Sequence, residues 1–487
     1  MTMTTTTKHP DGVYTVFFLQ MFSMVGFSML FSLLTLYATH VLHFTDQRAY
    51  DISTAFNAQV FAVSVLGGFL ASKFLGYRYA FILSAVLAIG GLALILSTNT
   101  IAFYSGLGMY VLAMGIQVPA LNVLLSMLYD KGDARRDSGF ILAYVGMNVG
   151  SFFATLFSGP ISEKYGYHSA FFVGLVFAVI TLINYLLHQY KFKPAKIDQL
   201  TREHAAAISR PKKIGGTIIT LIFIPIIAAL MDFPQWNNTI LISLGIIATI
   251  VTLYFANRYE AAVRHKIWVF LILCYVALFF WALYLLVPTV LPLFTERNVD
   301  RHFFSWVIPT ASFSSLNPFF IITIGPLLSL LWLRLQKKNI VMTTPGKFVV
   351  ALILMGAGFA ALSLGIHFHN PLGLILAVWM VLSYFLQTVG ELFIGPIGYA
   401  MVGSLVPFEL EGFMQGVWQL FTGISGVFTA FLASLTHRTV AENVTNPLLT
   451  NHDFSYTFLL CGSVTMGAGI VLALFVPRLK RIISPIR

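Results

Sequence analysis

Glu391 lies in the run Tyr384-Phe-Leu-Gln-Thr-Val-Gly-Glu391-Leu-Phe-Ile-Gly-Pro396, the one acidic side chain set deep in any of roughly fourteen long apolar stretches. A carboxylate at the centre of a bilayer costs roughly 2.5–3.5 kcal/mol even on the lenient insertion scale, so a chain that keeps one there has a use for it. Two uses fit its chemistry: accepting charge-assisted hydrogen bonds from an ammonium group, or carrying a proton between the two faces of the membrane. Little else competes. The twelve histidines fall near the ends of apolar stretches or between them, which argues against a buried histidine relay. No helical His-Glu-x-x-His and no paired aspartates are present, so an intramembrane enzyme is not expected. Cys274 and Cys461 lie inside apolar stretches about 190 residues apart, which supports neither a disulfide framework nor a metal knuckle; no metal or cofactor is expected.

The elements that must position Glu391 are membrane spans. With 58% hydrophobic residues, only 10% charged residues and a mean hydropathy of +0.84, the chain is an all-α polytopic membrane protein. A net charge of +11 raises nucleic acid as a partner, but the basic residues are spread over short connectors with no basic domain, and nucleic-acid binding is set aside. A span needs about 20 apolar residues. Cores are expected near 13–40, 53–75, 79–98, 101–129, 138–162, 169–189, 215–231, 239–257, 267–290, 313–336, 347–366, 373–403, 412–436 and 454–477. The first, running from Val13 to Leu42, is too long for a signal-peptide core and is expected to be retained. Placing both termini in the cytoplasm puts every Lys and Arg except Arg48, Lys164, Arg297, Arg301 and Arg438 on the inner side, in accord with the positive-inside rule.

The charged connector 191–213, with a short amphipathic helix expected at 199–208, divides the chain. Residues 1–190 form a six-helix bundle, 214–262 an extra two-helix hairpin and 263–487 a second six-helix bundle, an arrangement suited to a central cavity between repeats. The hairpin carries no buried charge and is expected at the periphery. Asn237-Asn-Thr239 and Asn443-Val-Thr445 match glycosylation triplets, which arise readily by chance.

The stretches Gly67-Gly-Phe-Leu-Ala-Ser-Lys-Phe-Leu-Gly76, Tyr129-Asp-Lys-Gly-Asp-Ala-Arg-Arg-Asp-Ser-Gly139 and Tyr144-Val-Gly-Met-Asn148-Val-Gly-Ser151 are similar to first-half signatures of the proton-dependent oligopeptide transporter family. Phe280-Trp-Ala-Leu-Tyr284, Leu293-Phe-Thr-Glu-Arg-Asn-Val-Asp-Arg301, Ser315-Leu-Asn317-Pro-Phe-Phe320 and Gln387-Thr-Val-Gly-Glu391 follow in that family's order. The resemblance covers nearly the whole chain and implies the major facilitator fold, alternating access and a bacterial inner membrane, with a monomer as the expected state. It also implies a substrate site around Glu391, Asn148, Asn317 and Trp418, with Tyr144, Phe27 and Phe61 lining it; the last two keep a ring but lose the family's hydroxyl.

Against that pattern, Gln20, Ser23 and Met24 stand where the family's ExxER motif supplies two glutamates and an arginine. Phe31 replaces a second arginine, Val118 a lysine, Leu285 an acidic residue and Ser72 an aspartate. Removing one member of a buried ion pair costs about 3–5 kcal/mol, whereas replacing both by apolar groups can be neutral. Here both signs have gone together, which speaks against a decaying site. The expected ligand carries an amine for Glu391 and is neutral or apolar at its other end: a di- or tripeptide derivative, an amide or another amine compound. Coupling to protons through Glu391 is the first expectation. A proton-independent facilitator or an exporter is the alternative, and a receptor that binds without moving its ligand is a further one.

Overall fold

In the computed structural model, residues 8–483 are described apart from 98, 130–132, 134, 193–207, 339–341, 408–409 and 442. The amphipathic helix expected at 199–208 lies, but for its last residue, outside the described residues. Among the described residues, fourteen helices are long and apolar enough to cross a membrane. They are α1 (Asp11–His40), α2 (Asp46–Leu70, extended by a π-helical turn Ala71–Leu75), α3 (Tyr77–Ile95), α4 (Thr100–Ser126), α5 (Arg136–Tyr165), α6 (Tyr167–His188), α7 (Arg210–Asp232), α8 (Pro234–Ala256), α9 (Ala261–Thr289), α11 (Leu316–Lys337), α12 (Thr344–His367), α13 (Ala377–Leu405), α14 (Glu411–Ser434) and α15 (Pro447–Ile483). A short helix, α10 (Leu291–Asn298), continues from α9. The chain is an integral membrane protein.

Local chemistry sets the helix limits. Asn99 caps α4 by accepting from the N–H groups of Ile101 and Ala102, and Thr343 caps α12 by accepting from that of Gly346. Gly166, at φ 84°, breaks the chain between α5 and α6. Inside the spans, hydroxyls return to the carbonyl one turn back, as Thr155 does to Ser151 and Thr181 to Phe177, so each is satisfied without a partner helix. Residues Val299–Asp300 pair in parallel with Ile375–Leu376, and His302–Phe303 pairs with Trp306–Val307 in a hairpin; these small ladders tie connectors together.

By packing, the described chain forms two compact units. One holds the chain up to Leu30 together with Val63–Asp232, and the other holds Phe31–Ala62 together with Phe233–Arg487. The last third of α1 and the first two-thirds of α2 therefore pack with the second unit, a division that cuts across the halves drawn at the linker. The inserted pair divides likewise. Helix α7 lies on α4 in the first unit, whereas α8 lies on α14 and α9 in the second. There Gln59 donates to the Asn237 side chain at 3.0 Å with both residues buried, which removes Asn237 from any modifying enzyme.

Candidate substrate site

In the second unit, α13 carries Glu391 and α11 begins at Leu316, so that Asn317 sits in the first turn of α11. The Asn317 Nδ2 group donates to Glu391 Oε2 at 2.6 Å and to Thr388 Oγ1 at 3.1 Å. Both amide hydrogens are spent on α13, which fixes the orientation of the amide and leaves its oxygen and Glu391 Oε1 as acceptors. Thr388 is fully buried one turn before Glu391, while Glu391 and Asn317 are half-buried. Among the described residues no Lys, Arg or His lies within ion-pair distance of Glu391. Pro396, five residues on, lacks an N–H, so the Leu392 carbonyl beside Glu391 has no helical donor.

The neighbouring helix α9 brings aromatic groups to this region. Phe280 reaches Gly390, where an added Cβ would stand 3.4 Å from the ring. Trp281 packs edge-on to Phe280 and Tyr284, with centroids 5.3 and 5.2 Å away, and the half-buried Phe61 lies tilted to it at 6.4 Å. Trp281 is 9% exposed, and its indole N–H is buried without a hydrogen-bond partner. Leu285, one turn on, is fully buried.

Trp418 on α14 is 1% exposed. Its ring presses on Gly398, where a Cβ would stand 2.1 Å from Cζ2, and meets Phe348 edge-on at 6.1 Å. In this conformation the indole packs α13 against α14 and presents no face to a ligand. Gln387, one turn from Glu391, turns toward Gly358 of α12 and donates to Ser383 at 2.7 Å.

In the first unit, Gln20, Ser23, Met24 and Phe27 follow one another along α1. Ser23 donates back to the Gln20 carbonyl at 3.1 Å; Gln20, Ser23 and Met24 are buried, and Phe27 is half-buried. Helix α5 approaches α1 so closely at Gly150 that a Cβ there would stand 2.0 Å from the Met21 carbonyl oxygen, and only glycine fits. That contact, with the Ser28–Ser151 hydrogen bond of 3.0 Å, seats the α5 face bearing Tyr144 and Asn148. The Asn148 side chain is buried and donates to the Tyr144 carbonyl at 2.8 Å. Val118 on α4 is half-buried.

The structure thus joins Glu391 to Asn317, and it adds Thr388 and Trp281, to which sequence reasoning gave no role. Thr388 was visible only as a neighbour in the motif. The signal for Trp281 is its indole N–H, whose lack of a partner no sequence reveals.

Residues 77–448 match the profile of the POT family. The chain is 31% identical over 481 residues to dipeptide and tripeptide permease A of Erwinia pyrifoliae, covering 97% of this chain and 95% of the relative. It is 30% identical to the permease of the same name from Klebsiella pneumoniae, over 97% and 93% of the two chains. Its fold is similar to that of a bacterial homologue of the human drug peptide transporters PepT1 and PepT2, with a TM-score of 0.83 at 22% identity over 97% and 99% of the chains. A peptide transporter solved with alafosfalin aligns with a TM-score of 0.82 at 23% identity over 98% and 96%.

Proposed function

The chain belongs to the POT family, and from that premise we propose that it moves di- or tripeptide-like compounds across a bacterial inner membrane by alternating access, selecting ligands with a free amine and an uncharged opposite end. The two six-helix halves, 1–190 and 263–487, are on this reading the repeats that exchange access.

One observation carries the reading: Asn317 is bonded to Glu391 at 2.6 Å, and no cation of the described chain competes for that carboxylate. A carboxylate held by one neutral donor has acceptor capacity left for a ligand's ammonium, and the Asn317 oxygen adds a second acceptor. The positions at which the family carries cations lack them here, since Met24, Phe31 and Val118 offer no donor to a carboxylate. The buried Trp281 N–H supplies a neutral donor instead, suited to an amide or ester carbonyl. The names of the relatives, dipeptide and tripeptide permeases, support a peptide scaffold for the ligand. Proton coupling is assigned to Glu391, as the deep carboxylate able to exchange ammonium for proton.

Uptake into proteoliposomes of paired dipeptides, one with a free carboxylate and one amidated, tests this. The amides should be taken up at least as well as the free acids; a strict requirement for the free carboxylate overturns the proposal.

A further inference from the structure

Between α10 and α11, in the second unit, the chain makes a hairpin that stands free. His302–Phe303 pairs with Trp306–Val307, and Phe303 lies directly opposite Trp306, so both rings stand on one face and His302 and Val307 on the other. Every residue from His302 to Val307 is exposed, so the described chain covers neither face. Phe303, Phe304 and Trp306 are 61%, 92% and 56% exposed. The Phe304 ring meets that of Phe303 edge-on at 4.9 Å, which gathers the rings at the turn.

This sequence is ill suited to water. The two-residue loop Phe304–Ser305 holds Phe304 at φ 54°, a left-handed backbone that hairpins ordinarily give to glycine or asparagine. A two-stranded ladder is marginal in water at best, and a bulky residue at that φ adds strain. Such a hairpin is stabilised when its rings gain burial from outside the chain.

The place of the hairpin says what covers it. Two residues before it, Val299–Asp300 pairs with Ile375–Leu376, and the next residue, Ala377, starts α13. Helix α13 has 29 residues, about 44 Å at 1.5 Å each, the thickness of a bilayer with its headgroups, so its first turn stands at headgroup level. At roughly 3.3 Å per residue along a strand, the base of the hairpin lies within about 15 Å of that turn. The uncovered apolar surface is continuous in this direction, since Leu376, Val378 and Leu382 are exposed along the side of α13. Trp379 stacks on Phe368 at the same end, with ring centroids 6.0 Å apart, as aromatic residues do at a membrane surface. Polar bonds collect at the base instead: Arg301 donates to the Ile308 carbonyl at 2.9 Å, and the His302 N–H to Asp300 at 3.1 Å. A polar base under an aromatic tip fits the boundary between headgroups and acyl chains. We propose that the hairpin 302–307 docks on the bilayer itself, with Phe303, Phe304 and Trp306 seated at that boundary in the leaflet away from the basic connectors.

The full chain carrying Phe304→Cys, labelled with the environment-sensitive dye NBD and placed in phosphatidylcholine nanodiscs, tests this. Cys274 and Cys461 are buried, and the parent taken through the same labelling gives their background. A nitroxide on the lipid near the glycerol should quench the probe at least about threefold more than one at the end of the acyl chain, and aqueous iodide should quench it at least about threefold less than it quenches the free dye. Quenching by iodide as strong as that of the free dye places the turn in water and overturns the proposal. Protection from iodide and from both nitroxides would mean that a second copy of the chain covers the turn, and overturns it equally. Should Phe304→Cys fail to reach the membrane, Trp306→Cys carries the same probe with the same outcomes expected.

Discussion

At the residue scale the site reduces to one carboxylate and the amide that holds it. Because Asn317 spends both its hydrogens on Glu391 and Thr388, removing either partner has a different consequence. Asn317→Ala takes away the bond to the charged group, worth about 1.5–3 kcal/mol, and should raise the KM for a free-amine ligand by roughly ten- to hundredfold. Thr388→Val keeps that bond but frees the amide to rotate, and its effect should stay within about threefold. Glu391→Gln keeps the shape and loses the charge; ligand counterflow in proteoliposomes should fall by at least about tenfold. A KM for Asn317→Ala equal to that of the parent would mean that the pair is structural.

At the scale of elements, helices in this chain approach through glycine where a ring or a backbone must enter. Trp418 reaches over Gly398, and α5 meets α1 at Gly150. Gly398→Ala places a Cβ inside the indole ring and should destabilise the protein by about 1–3 kcal/mol, read as a lower thermal midpoint in detergent. Gly395→Ala, whose Cβ would come no nearer than 4.0 Å to Glu391 Cγ, is the matched control and should leave that midpoint within about a degree. Equal midpoints for the two variants would show that Trp418 moves aside freely. In that case its ring could reach a ligand in another state of the cycle.

For the whole molecule, the lack of a cationic side chain at Val118 predicts a preference that one substitution can shift. Val118→Lys supplies the cation of the family pattern and should move uptake toward free-acid peptides, measured as the ratio of free-acid to amide uptake; an unchanged ratio would remove Val118 from the selective surface. A lysine at this half-buried position of an apolar helix adds a charge with no counter-charge on its own helix, so expression should drop as well. The spans were legible in the chain because about 20 apolar residues are needed to cross the hydrocarbon and each such run is local. Glu391 was legible for the same reason, as a charge where charges are costly. Other features were not. Asp46 and Arg297 lie 251 residues apart in connectors that read as ordinary span ends, and the Pro288 carbonyl finds its donors on α1 and α2. Trp418, expected at the wall of the site, is sealed between helices in this conformation, and Trp281 holds an indole N–H with no partner. Hydropathy records how each residue meets lipid or water, and that determined the class, the spans and the deep carboxylate. Which polar groups find each other across hundreds of residues depends on how the helices pack, and only the tertiary structure decided it.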